Sequence, residues 1–308
     1  MGAPFDGKRF SNEDPTADRG LRDVLRWAMT RQRQPWPKWV EIRDRYVPRQ
    51  PAAGEILVTF VNHSTFLVQH GETAFLTDPV WVDRAFPVQW AGPARVHAPG
   101  IPFDRLPRVD TVLLSHNHYD HLDLATLRAL QRRFSSRIVT TLGNKLFLER
   151  RGLRDVVELD WWQAYDGITA TPAQHFAART PFDRNRTLWA GFTVNLGARR
   201  LFFSGDSGYY KHFADIGSRF GPFDVSLVPI GAYEPRWFMC AAHMNPDEAV
   251  RAHLDLRSRV SIAMHFGCFQ LTDEPIDEPV AALHRALDTH GVPASTFRVL
   301  EPGETFAI

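Results

Sequence analysis

Apolar positions follow two periods along the chain. Short runs rich in Val, Ile, Phe and Thr recur from Ile56 onward: ILVTFVNHSTFLVQHGETAFLTD, then DTVLLSH, RIVTTLG, DVVELD, ITATPAQH, WAGFTVNL, RRLFFSGD, VSLVPIG and RVSIAMHFG. Their length and their bounding turn residues predict strands, with a hairpin at His70-Gly71. Between them, apolar residues take helical spacing. LDLATLRALQRRF predicts a helix capped by Asp123. NPDEAVRAHLDL predicts one capped by Asn245 with Pro246 in its first turn, and EPVAALHRALDTHG one closed by Gly291. Strands occur both as hairpins and separated by helices, which predicts a layered α/β architecture with mixed sheets.

Residues 1–54 have another texture and read as an N-terminal arm, with one domain over 55–308. LRDVLRWAMTRQRQ spaces Leu21, Val24, Leu25 and Ala28 as a helical stripe, flanked by Arg19, Arg22, Arg26, Arg31 and Arg33. Prolines in QPWPKW and VPRQP stop any longer helix. Two readings follow: a helix docked on the core, or a basic amphipathic segment touching anionic lipid.

Composition narrows the class. The 308 residues are 44% apolar with a formal net charge of +1. That supports a large core and gives no bulk positive field for nucleic acid. Cys240 and Cys268 form no CxxC pair, and the polar start has no secretory core. Asp6 stands where myristoylation needs Ser or Thr. The expectation is a cytoplasmic protein, with peripheral membrane contact and a homodimer left open.

Candidate chemistry concentrates at strand ends. TVLLSHNHYDHLD delivers His116, His118, Asp120 and His121 within six residues. ITATPAQ delivers His175, RRLFFSG delivers Asp206 and VSIAM delivers His265. Imidazole and carboxylate suit zinc, and seven ligands are too many for one tetrahedral ion. They suit two: His116, His118 and His175 on one, Asp120, His121 and His265 on the other, Asp206 between. Iron or manganese remains open for such a nitrogen and oxygen shell. No GxSxG elbow competes with this reading.

At these residues the sequence resembles the metallo-β-lactamase superfamily, through SHNHYDHLD. LTDPV, GPAR, ELDWW, TPAQH, FFSGDSGY, RFGPFDVSLVPIGAYEPRWFM, HMNPDEAVRAH and AMHFGCF resemble N-acylphosphatidylethanolamine-hydrolysing phospholipase D and its bacterial relatives. The resemblance spans roughly residues 55–300, with RFSNEDPT and VLRW matching more loosely. It implies an αββα sandwich of two mixed β-sheets flanked by helices. It also implies two zinc ions on the seven residues named, and a substrate that is a lipid phosphodiester. Cleavage would release N-acylethanolamine and phosphatidic acid through a hydroxide shared by the ions, oriented by Asp120. His243 matches a histidine that approaches the phosphodiester and would hydrogen-bond a phosphate oxygen or protonate the leaving group. Other readings of the same centre are a lactone, cyclic nucleotide or organophosphate hydrolase, or a diiron redox protein.

The remaining candidates are less sharp. His63 reads as a structural hydrogen bond, and Glu234 with Arg236 as an ion-paired brace or a headgroup contact. Trp161 and Trp162 read as core and groove wall. Tyr233, Trp237, Phe238 and Met239 read as packing or an acyl channel. Cys268 reads as buried beside the centre. His70, His97, His212, His284 and His290 read as structural or surface residues.

Overall fold

The computed structural model describes residues 2–14 and 19–308. Met1, Pro15, Thr16 and the Leu21 side chain, which enter the reading above, lie outside the described residues.

The first sheet uses β1 (Ile56–Asn62), β2 (Thr65–His70), β3 (Thr73–Thr77), β4 (Thr111–Leu113), β5 (Arg137–Thr141) and β6 (Val156–Leu159). The second uses β7 (Ala164–Tyr165), β8 (Ile168–Thr171), β9 (Gly191–Leu196), β10 (Arg199–Phe203), β11 (Val225–Pro229), β12 (Val260–Met264) and β13 (Phe297–Arg298). The last strand, β14 (Thr305–Ala307), returns to pair with β1, so the orders are β14-β1-β2-β3-β4-β5-β6 and β13-β12-β11-β10-β9-β8-β7. Both sheets are mixed. β1 to β3 run antiparallel and β3 to β6 parallel, while β10 to β13 run parallel and β7 to β10 antiparallel.

Helices cover the outer faces. α1 (Leu21–Thr30) belongs to the arm; α2 (Leu124–Phe134) and α3 (Asn144–Glu149) follow β4 and β5. α4 (His212–Phe220), α5 (Arg236–Met239), α6 (Pro246–Asp255) and α7 (Glu278–His290) follow strands of the second sheet. Residue alternation explains the layering. In β10, Leu201 and Phe203 pack between the sheets while Phe202 packs under the helices. At β4, Leu113 faces the other sheet while Val112 and Leu114 face α2. Strands buried on both faces give the near-continuous apolar runs seen in sequence. The result is helix, sheet, sheet, helix.

The helix ends fall where their capping residues place them. Asp123 accepts from the amides of Ala125 and Thr126, at 2.9 and 3.2 Å. Asn245 and Glu248 form a capping box on α6, and Gly291 closes α7 at φ 63°. α1 docks. Trp27 stacks on Phe238 at 5.2 Å, Arg26 lies over Trp237 at 4.5 Å, and Arg31 pairs with Asp273 at 3.0 Å. No helix among the described residues is long and apolar enough to cross a membrane.

Candidate metal centre

β1, β3, β4, β10 and β12 run in one direction within their sheets and end at one edge of the sandwich, the place where α/β sheets bind ligands. The loop after β4 carries His116 to His121, and the end of β10 carries Asp206. The end of β12 carries His265, the segment after β8 carries His175, and the β1–β2 turn carries His63. Three of these strand ends are left-handed at non-glycine residues: His63 (φ 48°), Asp78 (φ 32°) and His265 (φ 60°). Such conformations cost on the order of 1–3 kcal/mol each and cluster where side chains must be aimed. Gly205 (φ 58°) makes the turn into Asp206; a Cβ there would lie 2.7 Å from the Ser115 Cβ.

All seven sequence candidates meet at this edge. His116 Nε2 and His118 Nδ1 are 2.8 Å apart, and His175 Nε2 is 3.2 Å from His118 Nδ1. Asp120 Oδ2 lies 3.3 Å from His121 Nε2 and 3.4 Å from His265 Nε2. Asp206 Oδ2 reaches both groups: 3.1 Å to His121 and His265, 3.8 Å to His175 and 4.0 Å to His116. Ligands about 2.0–2.1 Å from a tetrahedral ion are about 3.3 Å from each other, so these spacings suit coordination. Four of the seven candidate residues are 2% exposed or less and the rest are at least half covered.

Among the buried atoms of the cluster with no hydrogen-bond partner are His121 Nε2, His265 Nε2 and Asp206 Oδ1. Left so, each would cost about 1–3 kcal/mol. A cation beside them removes that cost, and the donor set is therefore suited to metal.

The outer contacts were harder to foresee. His121 Nδ1 faces Asp78 Oδ2 at 2.6 Å, and the Ser115 amide donates to Asp78 Oδ1 at 2.7 Å. His116 Nδ1 faces Ser115 Oγ at 2.9 Å, and His175 Nδ1 donates to the Ala242 carbonyl at 2.9 Å. His63 Nε2 lies 3.0 Å from Asp120 Oδ2, so its hydrogen bond goes to the cluster itself. Asp78 sits in LTDPV just past β3, a strand end like the others. That position and the LTDPV motif were its signals.

Charge follows this geometry. Burial alone raises the Asp206 carboxyl, but His121 and His265 outweigh it and hold the group well below the ordinary carboxylate range. Burial opposes protonation of His265, yet Asp206 and Asp120 lift it to about 9. His121 rises well above its ordinary value by the same balance, with Asp78 contributing. Burial keeps His116 and His175 well below 6.5 and brings His118 to about 4.

A cavity of about 280 Å³ opens beside the cluster, floored by His118, Asp120, Asp206 and His243 and walled by Val24, Trp27, Phe176, Phe238, Met239 and Leu271. His243 Nδ1 is 4.0 Å from Asp206 Oδ2 and has no hydrogen-bond partner. Burial lowers this imidazole to about 4.

Several sequence readings need correction. Arg236 does not pair with Glu234 through its guanidinium; it grips Glu248 at 2.8 and 3.0 Å and the His243 carbonyl at 3.0 Å. Of the apolar string, Phe238 and Met239 line this cavity, while Tyr233 and Trp237 line a separate groove. Trp161 is core, donating to the Trp189 carbonyl, and Trp162 packs on Phe220 and Arg219; neither walls the cavity. Cys268 is fully buried, and burial pushes its thiol up to about 12. His212 and His97 are buried, in keeping with the structural of the two readings given for them.

The fold and this cluster define a class. The chain belongs to the metallo-β-lactamase superfamily: the model of the beta-lactamase superfamily domain matches residues 73–266. Among its relatives, N-acyl-phosphatidylethanolamine-hydrolyzing phospholipase D 1 of Caenorhabditis elegans is 38% identical over 266 residues, covering 81% of this chain and 75% of that one. An uncharacterised protein of Mycobacterium tuberculosis is 41% identical over 261 residues, covering 82% and 68%. A metallo hydrolase from Ignicoccus hospitalis shares the fold with a TM-score of 0.63 at 22% identity, covering 82% and 98%. The chain is a metal-dependent hydrolase of this superfamily.

Proposed function

We propose that this protein is a dinuclear zinc phosphodiesterase acting on N-acylphosphatidylethanolamine-type lipids. His116, His118 and His175 would hold one ion, Asp120, His121 and His265 the other, and Asp206 Oδ2 would serve both. The carrying observation is that Asp206 Oδ2 lies 3.1–4.0 Å from four imidazole nitrogens of the two groups. When bound, the ions supply Lewis acidity and bring the pKa of water to about 7.

The chain's own groups do the rest. Asp120 and Asp206 present carboxylate oxygens toward the position of the attacking water and orient it. His243 is neutral near pH 7 because burial depresses it, so it donates an N–H to a phosphoryl oxygen rather than a full proton. Attack would form a bond from the water oxygen to phosphorus and break the bond to the ethanolamine oxygen, which takes up the proton the water gives up, giving N-acylethanolamine and phosphatidic acid. The apolar wall excludes water and receives the first carbons of the acyl chain, while the cavity is too small for whole lipid tails. Leu25 and Met29, exposed on α1, would meet the lipid surface that supplies the rest.

The activity for which the C. elegans relative is named and the apolar wall favour lipid over lactones and cyclic nucleotides. A side-by-side assay of N-acylphosphatidylethanolamine, phosphatidylethanolamine, a cyclic nucleotide and a lactone tests this. The N-acylated lipid is expected to give the highest kcat/KM by at least about tenfold, a margin worth roughly 1.4 kcal/mol. Preference for the lactone or cyclic nucleotide would overturn the lipid reading and leave the metal centre standing.

A further inference from the structure

The region 73–266 that matches the superfamily domain contains every residue of the cluster except His63, yet one clamp on it comes from outside. Asn12, in the N-terminal segment, is 5% exposed. Its Nδ2 donates to the His175 carbonyl at 2.8 Å, and its Oδ1 accepts from the His175 amide at 3.0 Å. The same oxygen accepts from Trp189 Nε1 at 3.1 Å. The side-chain amide thus pairs with both main-chain groups of His175, as a neighbouring strand would. Among the described residues His175 itself sits in no strand: β8 ends at Thr171, and the isolated bridge beside it joins Gln174 to Gly208. The segment is tied down nearby, where the Phe10 amide donates to the Asn185 carbonyl at 2.8 Å and the Phe10 ring enters the inter-sheet core.

We propose that Asn12 is a positioning residue for His175, so that docking of residues 2–14 and loading of the His116–His118–His175 group are coupled. The inference rests on the two-ion reading above. An imidazole ligand is aimed by its backbone as well as by its ring partner, and losing such outer support costs about 10–100-fold in metal affinity. Coupling is reciprocal, so an ion that needs His175 in place also holds the segment in place.

The test uses the full chain with Asn12→Ala and zinc as the probe. Stepwise zinc affinity is measured by chelator competition, and backbone hydrogen exchange at Phe10 is measured with and without zinc. Expected are a loss of about 10–100-fold for one ion with the other nearly unchanged, and slower exchange at Phe10 of the native chain when zinc is added. Asn12→Asp serves if the alanine variant misfolds. It keeps the acceptor for the His175 and Trp189 N–H groups but faces the His175 carbonyl with an oxygen, and the same selective loss is expected. Native affinity for both ions in these variants, with exchange at Phe10 indifferent to zinc, would overturn the proposal. If the native chain takes up two ions and the variants do too, this inference alone falls; if the native chain takes up none, the two-ion reading falls first.

Discussion

The His116–His118–His175 group and the Asp120–His121–His265 group share one cluster but are braced by different kinds of atom. The first is touched directly by neutral partners: the Ser115 hydroxyl, which itself donates to Asp78, the Ala242 carbonyl and, through the backbone, the Asn12 amide. The second leans on charge. Asp78 backs His121, Asp120 lies within the group, and Asp206 sits closer to its imidazoles than to the first group's. The first group therefore depends on segments that must dock, while the second is set by buried carboxylates that both sheets bring to one edge of the sandwich. Without an ion the carboxylates recruit protons onto His121 and His265, whereas burial keeps the first group's rings neutral.

The largest expected effect comes from removing what the two groups share. Asp206→Asn should release both ions and lower turnover by at least about 10³-fold, the scale of losing a preorganised charge. Retention of two ions at native affinity, read by elemental analysis, would show that Asp206 is no bridge.

Asp78→Asn should weaken the second group selectively, by about 10–100-fold in zinc affinity, because it withdraws the charge behind His121. An equal loss at both ions would erase the contrast drawn here.

His243→Ala belongs to neither group. It should keep both ions and lose turnover by about 10- to 100-fold, the scale of one hydrogen bond to a charged group. Unchanged kcat would remove it from the chemistry.

Protons sharpen the contrast further. Below about pH 9 the metal-free second group carries protons that an ion must displace, since the His265 value is raised to about 9. The first group has none to lose until the pH falls toward about 4, the value for His118. Zinc uptake near pH 7 should release protons, and affinity should fall with acidification. Calorimetry in buffers of differing ionisation enthalpy reads the count. His265→Ala should reduce it, and His175→Ala should leave it nearly unchanged.

The smallest effect concerns the scaffold. His212 is buried with its value lowered by burial to about 3. A folded value below the unfolded one near 6.5 means stability is full above that pH and is lost progressively as the pH falls toward 3. Thermal melts of His212→Gln should show a shallower acid slope than the native chain.

The strand ends and the candidate ligands were legible because several apolar runs, TVLLSH, ITATPAQH, RRLFFSGD and VSIAMH among them, lead into a His or Asp. The helix caps Asp123, Asn245 and Gly291 were legible because capping chemistry is local. What escaped depends on distant partners. β7, β13 and β14 are two or three residues long and exist through pairing with β8, β12 and β1. α4 carries Gly217 mid-helix, which argues against a helix in sequence. A Cβ there would lie 2.0 Å from the Asp255 carbonyl, so the glycine is what lets α4 pack on α6. Asp78 faces His121 because β3 and β4 pair in parallel with Thr77 opposite Leu113. Asn12 lies 163 residues from the peptide it clamps, and no local pattern announces such a contact.

Anomalous X-ray diffraction at the zinc edge, on crystals of the zinc-loaded chain, bears most directly on the two-ion centre. Two peaks should appear, one among His116, His118 and His175 and one among Asp120, His121 and His265, with Asp206 between them. A single peak, or zinc bound away from these side chains, would contradict it.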